Sequence, residues 1–211
     1  MGWPFRCRQE ELSDFLQGDF CLMFIPRFDL FPGALTLTSP FRSSYVLTPQ
    51  EELPQYRERD CRTRLKRGDC VVLEVEGLGS FVRTNHHRSG LFQALQRNFP
   101  DVVSYVFCAS DTGVYFKILQ DGRIVRKIAS NMWMEGMGNN PEVRGQPCAY
   151  ELETGHIYKI DWKAQHMADM LPDFGRREVL ALFDYYVGLS KFKTESLRRI
   201  LICTLTEKEP V

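Results

Sequence analysis

The chain has 211 residues, 44% hydrophobic and 26% charged, proportions ordinary for a folded globular protein with a sizeable core. Its 27 basic and 27 acidic residues cancel, so no overall field draws it to nucleic acid or to a membrane surface. No run of about 18 apolar residues is present. The start, Met1-Gly2-Trp3-Pro4-Phe5-Arg6, lacks the apolar stretch of a signal peptide and the serine or threonine of a myristoylation site. A cytoplasmic protein that does not enter a membrane is therefore expected.

In chain order, Glu10 to Leu16 reads as a short helical start and Phe20 to Ile25 as an apolar strand closed by Pro26. Leu35 to Thr38 suits another strand. Thr48-Pro49-Gln50-Glu51 has the letters of a helix start: a threonine N-cap, proline at the first helical position, and a glutamate completing a capping box. Arg57 to Arg67 holds six basic and two acidic residues, the one local basic patch. Asp69 to Glu76 reads as a strand with Val71, Leu73 and Val75 on one face and Cys70, Val72 and Glu74 on the other. The turn Gly77-Leu78-Gly79 leads into Phe81 and Val82. Ser89 to Asn98 carries the helical stripe Leu91, Phe92 and Leu95, with Pro100 marking its end.

Ser104 to Ala129 reads as a three-strand antiparallel meander. Val114, Phe116 and Ile118 alternate before the turn Gln120-Asp121-Gly122, and Arg123 to Ile128 is again rich in strand formers. A two-residue Asp121-Gly122 loop would set Lys117 against Arg126, an unfavourable like-charge pair. A three-residue loop with Gly122 left-handed instead pairs Ile118 with Ile124 and Phe116 with Arg126, and that register is expected. Arg126 then stands alone on an apolar face with Val114, Phe116, Ile118, Ile124 and Ile128. A buried guanidinium needs a carboxylate or several carbonyls. Glu142, Glu151 and Glu153 follow closely enough to supply one, and Glu151 is the preferred partner. The pair reads either as a structural anchor or as part of a ligand or partner site.

Ser130 to Pro147 is irregular, rich in Gly, Asn and Met, and long enough to suggest a functional loop. Ala149 to Leu152 suits a short strand. Beyond it the stripes Val179, Leu182, Phe183, Tyr186 and Leu197, Ile200, Leu201 both suggest helix. The expected class is therefore α+β: a curved antiparallel sheet packed against helices, with a helical C-terminus. One domain spanning residues 1–211 is expected, with 1–65 forming a looser N-terminal subdomain.

The seven cysteines lack any C-x-x-C pair and read as free thiols. A zinc site combining them with His86, His87, His156 or His166 finds no supporting spacing, and no metal or cofactor is expected. His86 and His87 follow Thr84-Asn85 just before a helix, and no adjacent cysteine or carboxylate completes a nucleophilic dyad. Asp111-Thr112-Gly113 reads as a tight turn. Gly136-Met137-Gly138 matches no phosphate-binding spacing. Met132, Trp133, Met134, Glu135 and Met137 offer large adaptable apolar area suited to protein recognition, or to a lid over the sheet.

One ordered pattern carries a resemblance: the aromatic strand SYVFCAS from Ser104, the hairpin element from Asp121-Gly122 to Arg126, an irregular stretch, Arg144-Gly145-Gln146-Pro147, and Glu151. From Tyr105 to Glu151 the chain resembles small bacterial immunity proteins encoded beside secreted polymorphic toxins. The resemblance implies a curved antiparallel sheet backed by helices, and the binding and neutralisation of a cognate protein toxin by occlusion. The expected function is thus non-enzymatic, with Met132, Trp133, Met134, Glu135, Met137, His86 and His87 as candidate partner-binding residues, and homodimerisation as a further option. The alternatives are a small hydrolase-like enzyme with a pocket around His86, His87, Arg126 and Glu151, or nucleic-acid binding through Arg57 to Arg67.

Overall fold

In a computed structural model of the chain, the structure describes residues 16, 19–31, 33–38, 44–53, 69–84, 89–110, 113–130, 141–164, 169–171, 173–188, 191 and 197–207. Among these residues ten strands form one antiparallel sheet: β1 (Phe20–Ile25), β2 (Leu35–Thr38), β3 (Ser44–Glu52), β4 (Asp69–Val75), β5 (Gly79–Thr84), β6 (Ser104–Ser110), β7 (Gly113–Gln120), β8 (Arg123–Ser130), β9 (Glu142–Arg144) and β10 (Leu197–Glu207). Their spatial order is β2-β3-β10-β4-β5-β1-β6-β7-β8-β9. The two edges are strands of four and three residues, short enough to offer little template for stray pairing. β1, from the stretch expected to be looser, lies in the middle of the sheet.

Both faces of the sheet are apolar, so central strands are buried on each side and read as continuous hydrophobic runs. All six residues of β1 are buried. One face gathers Leu22, Phe24, Val71, Leu73, Phe81, Phe107, Phe116, Ile128 and Ile200. The helix α3 (Arg176–Tyr186) packs on it through Val179, Leu182 and Phe183. The Phe183 ring meets Phe81 at 6.2 Å and Phe107 at 5.1 Å, while Tyr186 stacks on Tyr105 at 4.4 Å and on Phe116 at 5.5 Å. The opposite face gathers Cys21, Met23, Cys70, Val72, Val82, Val106, Cys108, Tyr115 and Cys203 under the helix α1 (Ser89–Gln96), whose Leu91, Phe92 and Leu95 are buried. Buried Gln96 ties this helix to the meander. Its side-chain amide donates to Phe99 O (3.1 Å) and Val102 O (2.6 Å), and its carbonyl accepts from Gly122 N–H.

The α+β expectation is overturned. The protein is mainly β, with three short helices among the described residues, of 8, 6 and 11 residues. The expected helical C-terminus is strand β10, which pairs with both β3 and β4. Ile200 and Ile202 face one core while Leu201 and Cys203 face the other, so the i, i+3, i+4 spacing of Leu197, Ile200 and Leu201 came from a strand buried on both sides. The capping-box letters at Thr48 to Glu51 belong to β3, where a register shift beside Cys203 accommodates Pro49. Ala149 to Leu152, expected as strand, opens the helix α2 (Ala149–Thr154). No described helix is long and apolar enough to cross a membrane.

The hairpin register also differs from expectation. Asp121 (φ 49°) and Gly122 (φ 65°) form a two-residue loop, both left-handed as a type I′ turn demands. Leu119 pairs with Ile124, Ile118 with Arg126, and Lys117 with Lys127, leaving Val125 as the extra residue of a bulge. The bulge swaps faces: Ile124 joins the core under α1, while Arg126 remains with Phe116 and Ile128 on the other side.

Candidate functional site

Arg126 and Glu151, 3% and 0% exposed, meet beneath the start of α2. Arg126 Nε donates to Glu151 Oε2 at 2.8 Å, and Nη2 donates to Oε1, making a bidentate pair. Nη1 donates to the carbonyls of Gly145 (2.7 Å) and Arg144 (3.3 Å), the latter closing the short edge strand β9. Glu151 also accepts from the backbone N–H of Cys148 (2.9 Å) and of Tyr158 (3.0 Å). The carboxylate thus takes two guanidinium donors and two backbone N–H donors, and four of the five guanidinium donors are used. Burial pushes the Glu151 carboxyl upward, but the Arg126 pair and the two backbone donors outweigh it and hold the group below its ordinary value.

The local sequence explains why this clasp forms. Gly145 adopts φ 84°, and a Cβ there would overlap the Val125 carbonyl oxygen, so Arg144-Gly145 lies tightly against the bulged strand. Glu151 at the third position of α2 reaches back to the N–H that opens the helix, as in a capping box. Gly155 at φ 71° ends the helix and turns the chain so that Tyr158 N–H returns to the same carboxylate. The ring of Tyr158 then packs edge-on to Phe174 at 5.1 Å.

What the clasp anchors is an exposed stretch. Within residues 149–164, Leu152, Ile157 and Trp162 are 64%, 40% and 72% exposed. Tyr185, on the neighbouring helix α3, is 38% exposed and meets Tyr150 edge-on at 5.4 Å. Large apolar side chains fixed on a rigid support and open to solvent are what protein interfaces use as anchors. The sequence reading passed over these residues. A tryptophan set between Asp161 and Lys163 in an aperiodic stretch was the signal that could have found them.

Met132, Trp133, Met134, Glu135, Met137, His86 and His87 lie outside the described residues, as does the basic patch Arg57 to Arg67. Arg126 and Glu151 are the sequence-selected residues that the structure brings together, and their polar atoms are spent on each other and on backbone. Among the described residues no group of three or more His, Cys, Asp or Glu is placed to hold a metal ion. Compared with known proteins, the chain matches no family model, no curated protein and no solved structure.

Proposed function

We propose that this chain is a non-enzymatic binding protein that captures and occludes another protein, in the manner of an immunity protein facing a cognate toxin. The observation that carries the reading is the display of Leu152, Ile157 and Trp162 on a segment locked to the sheet by the Arg126–Glu151 clasp. Exposed apolar side chains on a segment already tied to the sheet need less ordering on binding, which favours tight occlusion. The immunity-type reading adds the pattern from Tyr105 to Glu151, whose final members, Arg126, Arg144-Gly145 and Glu151, are the parts of that clasp. A hydrolase built on Arg126 and Glu151 is not favoured, because neither the carboxylate nor the guanidinium fork is left open to a substrate.

The test is co-expression of the full chain with the product of the gene adjacent to its own. The reading expects a stable complex that survives purification and protects cells from that product. A partner that neither binds nor loses its toxicity would overturn it.

A further inference from the structure

On the face of the sheet under α1, the register sets Cys21 of β1 directly opposite Cys108 of β6, and Cys108 opposite Tyr115 of β7. Cys21 Sγ lies 2.8 Å from the Tyr115 hydroxyl. Two residues along β7, Lys117 is 4% exposed, with its amine 4.3 Å from the centre of the Tyr115 ring. A second thiol directly opposite, a phenolic hydroxyl in contact and a cation over that phenol's ring therefore gather at one sulfur. We propose that Cys21 and Cys108 form a peroxide-reactive dithiol, in which Cys21 is oxidised first and Cys108 then closes a cross-strand disulfide between β1 and β6.

The arrangement divides the roles. The donation from Cys108, together with that of Tyr115, the charge of Lys117 and the hydroxyl of Thr84, lowers the Cys21 thiol below its ordinary value against the opposing effect of burial. The same contact with Cys21, followed by burial, pushes the Cys108 thiol far up. The Tyr115 hydroxyl at 2.8 Å from the Cys21 sulfur assigns Cys21 as the thiolate, leaving Cys108, directly opposite, as the resolving thiol. The Cys21 sulfur attacks one oxygen of hydrogen peroxide and the O–O bond breaks. The departing hydroxide takes up the proton that Cys21 released, leaving a sulfenic acid and water. The Cys108 sulfur then attacks the Cys21 sulfur and the S–O bond breaks. The hydroxyl leaves with the Cys108 proton as a second water. Two thiols lose two electrons and one peroxide gains them.

Directly opposed residues of antiparallel strands have Cα atoms about 4.5 to 5.5 Å apart, inside the range a disulfide spans. Exposures of 6% for Cys21 and 3% for Cys108 suit a small neutral oxidant rather than a bulky disulfide such as oxidised glutathione. A control lies in the same molecule: Cys70 and Cys203 are also directly opposed, on the same face, and both are fully buried.

The experiment exposes the full reduced chain to limiting hydrogen peroxide, blocks the remaining thiols, and quantifies disulfide-linked peptides by mass spectrometry over time. The Cys21–Cys108 linkage is expected to form ahead of Cys70–Cys203, since the Tyr115 hydroxyl lies 2.8 Å from Cys21 Sγ and the first pair is slightly exposed, at 6% and 3%, while Cys70 and Cys203 are at 0%. Equal rates for the two pairs, or no Cys21–Cys108 linkage, would overturn the proposal. In a folded Cys108→Ser variant, Cys21 should accumulate as a sulfenic acid captured by dimedone. A Tyr115→Phe variant should form it several-fold more slowly. Absence of the dimedone adduct at Cys21 would count equally against the idea.

Discussion

Lys117 faces Lys127 across the β7–β8 ladder, and the two amines have unequal surroundings. Lys127 pairs with Glu142 of the neighbouring β9, itself near Arg144 at 3.7 Å. Lys117 is buried over the Tyr115 ring instead. The like-charge opposition that argued for a three-residue loop is therefore present in the two-residue one. The bulge at Val125 sets Lys127 rather than Arg126 against Lys117, and Glu142 offsets the charge of Lys127.

Desolvation, followed by repulsion from Lys127, lowers the Lys117 amine to about 8. Its unfolded value is about 10.4, so between these two pH values the unfolded chain holds more protons and stability rises with pH. Below pH about 8 both states are protonated and the cost of burying the charge is constant. Lys117→Met should be more stable than the parent at pH 7, by on the order of 2–3 kcal/mol. The advantage should shrink as pH rises and vanish above about 10.4. Urea denaturation of both proteins at three pH values measures this.

Breaking the buried clasp from one side should be costly. Arg126→Met strands the Glu151 carboxylate without a counter-ion and should lower stability by about 3–5 kcal/mol, whereas the double variant Arg126→Met, Glu151→Leu should recover much of that loss. Because the folded Glu151 value is depressed, its contribution is full above the ordinary carboxylate value of about 4.3 and fades as pH falls through the lower folded value. The stability gap between the parent and Glu151→Gln should therefore narrow under acid. Chemical denaturation from pH 7 downward reads both effects.

The strands with plain boundaries were legible in the sequence. Phe20 to Ile25 is an unbroken apolar run stopped by Pro26, and Val71, Leu73 and Val75 alternate cleanly with Cys70 and Val72. The Val179, Leu182, Phe183 stripe is helical as read. Ambiguity defeated the rest. In β10, Ile200 to Cys203 is apolar at every position because both sides are core, so period alone could not separate strand from helix. In β3, Thr48-Pro49-Gln50-Glu51 obeys the local rule for a helix start, but pairing with β10 wins. The bulge at Val125 has no signature in its own residues, and it moved Ile124 to the other face. At the candidate site the Arg126–Glu151 proximity could be argued from burial of charge. The returning N–H of Tyr158 and the exposure of Trp162 depend on how the chain folds after Gly155.

Gly145→Ala should disturb the clasp through the backbone. The added carbon meets the Val125 carbonyl and is held at a φ that side chains disfavour, so a loss of at least about 2 kcal/mol is expected. Thermal unfolding compared with Gly90→Ala, where the new carbon meets nothing, separates this from a general effect of replacing glycine.

Gln96→Leu removes three hydrogen bonds at once and leaves Phe99 O, Val102 O and Gly122 N–H buried without that partner. A loss of about 2–4 kcal/mol is expected. Amide exchange at Gly122 should accelerate more than exchange in the distant strand β3.

Partner binding through the anchored stretch at 149–164 is open to a direct test. Leu152→Asp and Trp162→Asp alter exposed side chains, and each should change stability by no more than about 0.5 kcal/mol. The direct measurement is calorimetric titration of the partner captured by co-expression into the parent chain and into the double variant. A fall in affinity of about 100-fold or more in a normally folded double variant is the predicted result, as for the loss of interface anchors worth about 2 kcal/mol each. Unchanged affinity would show that Leu152 and Trp162 do not anchor the partner.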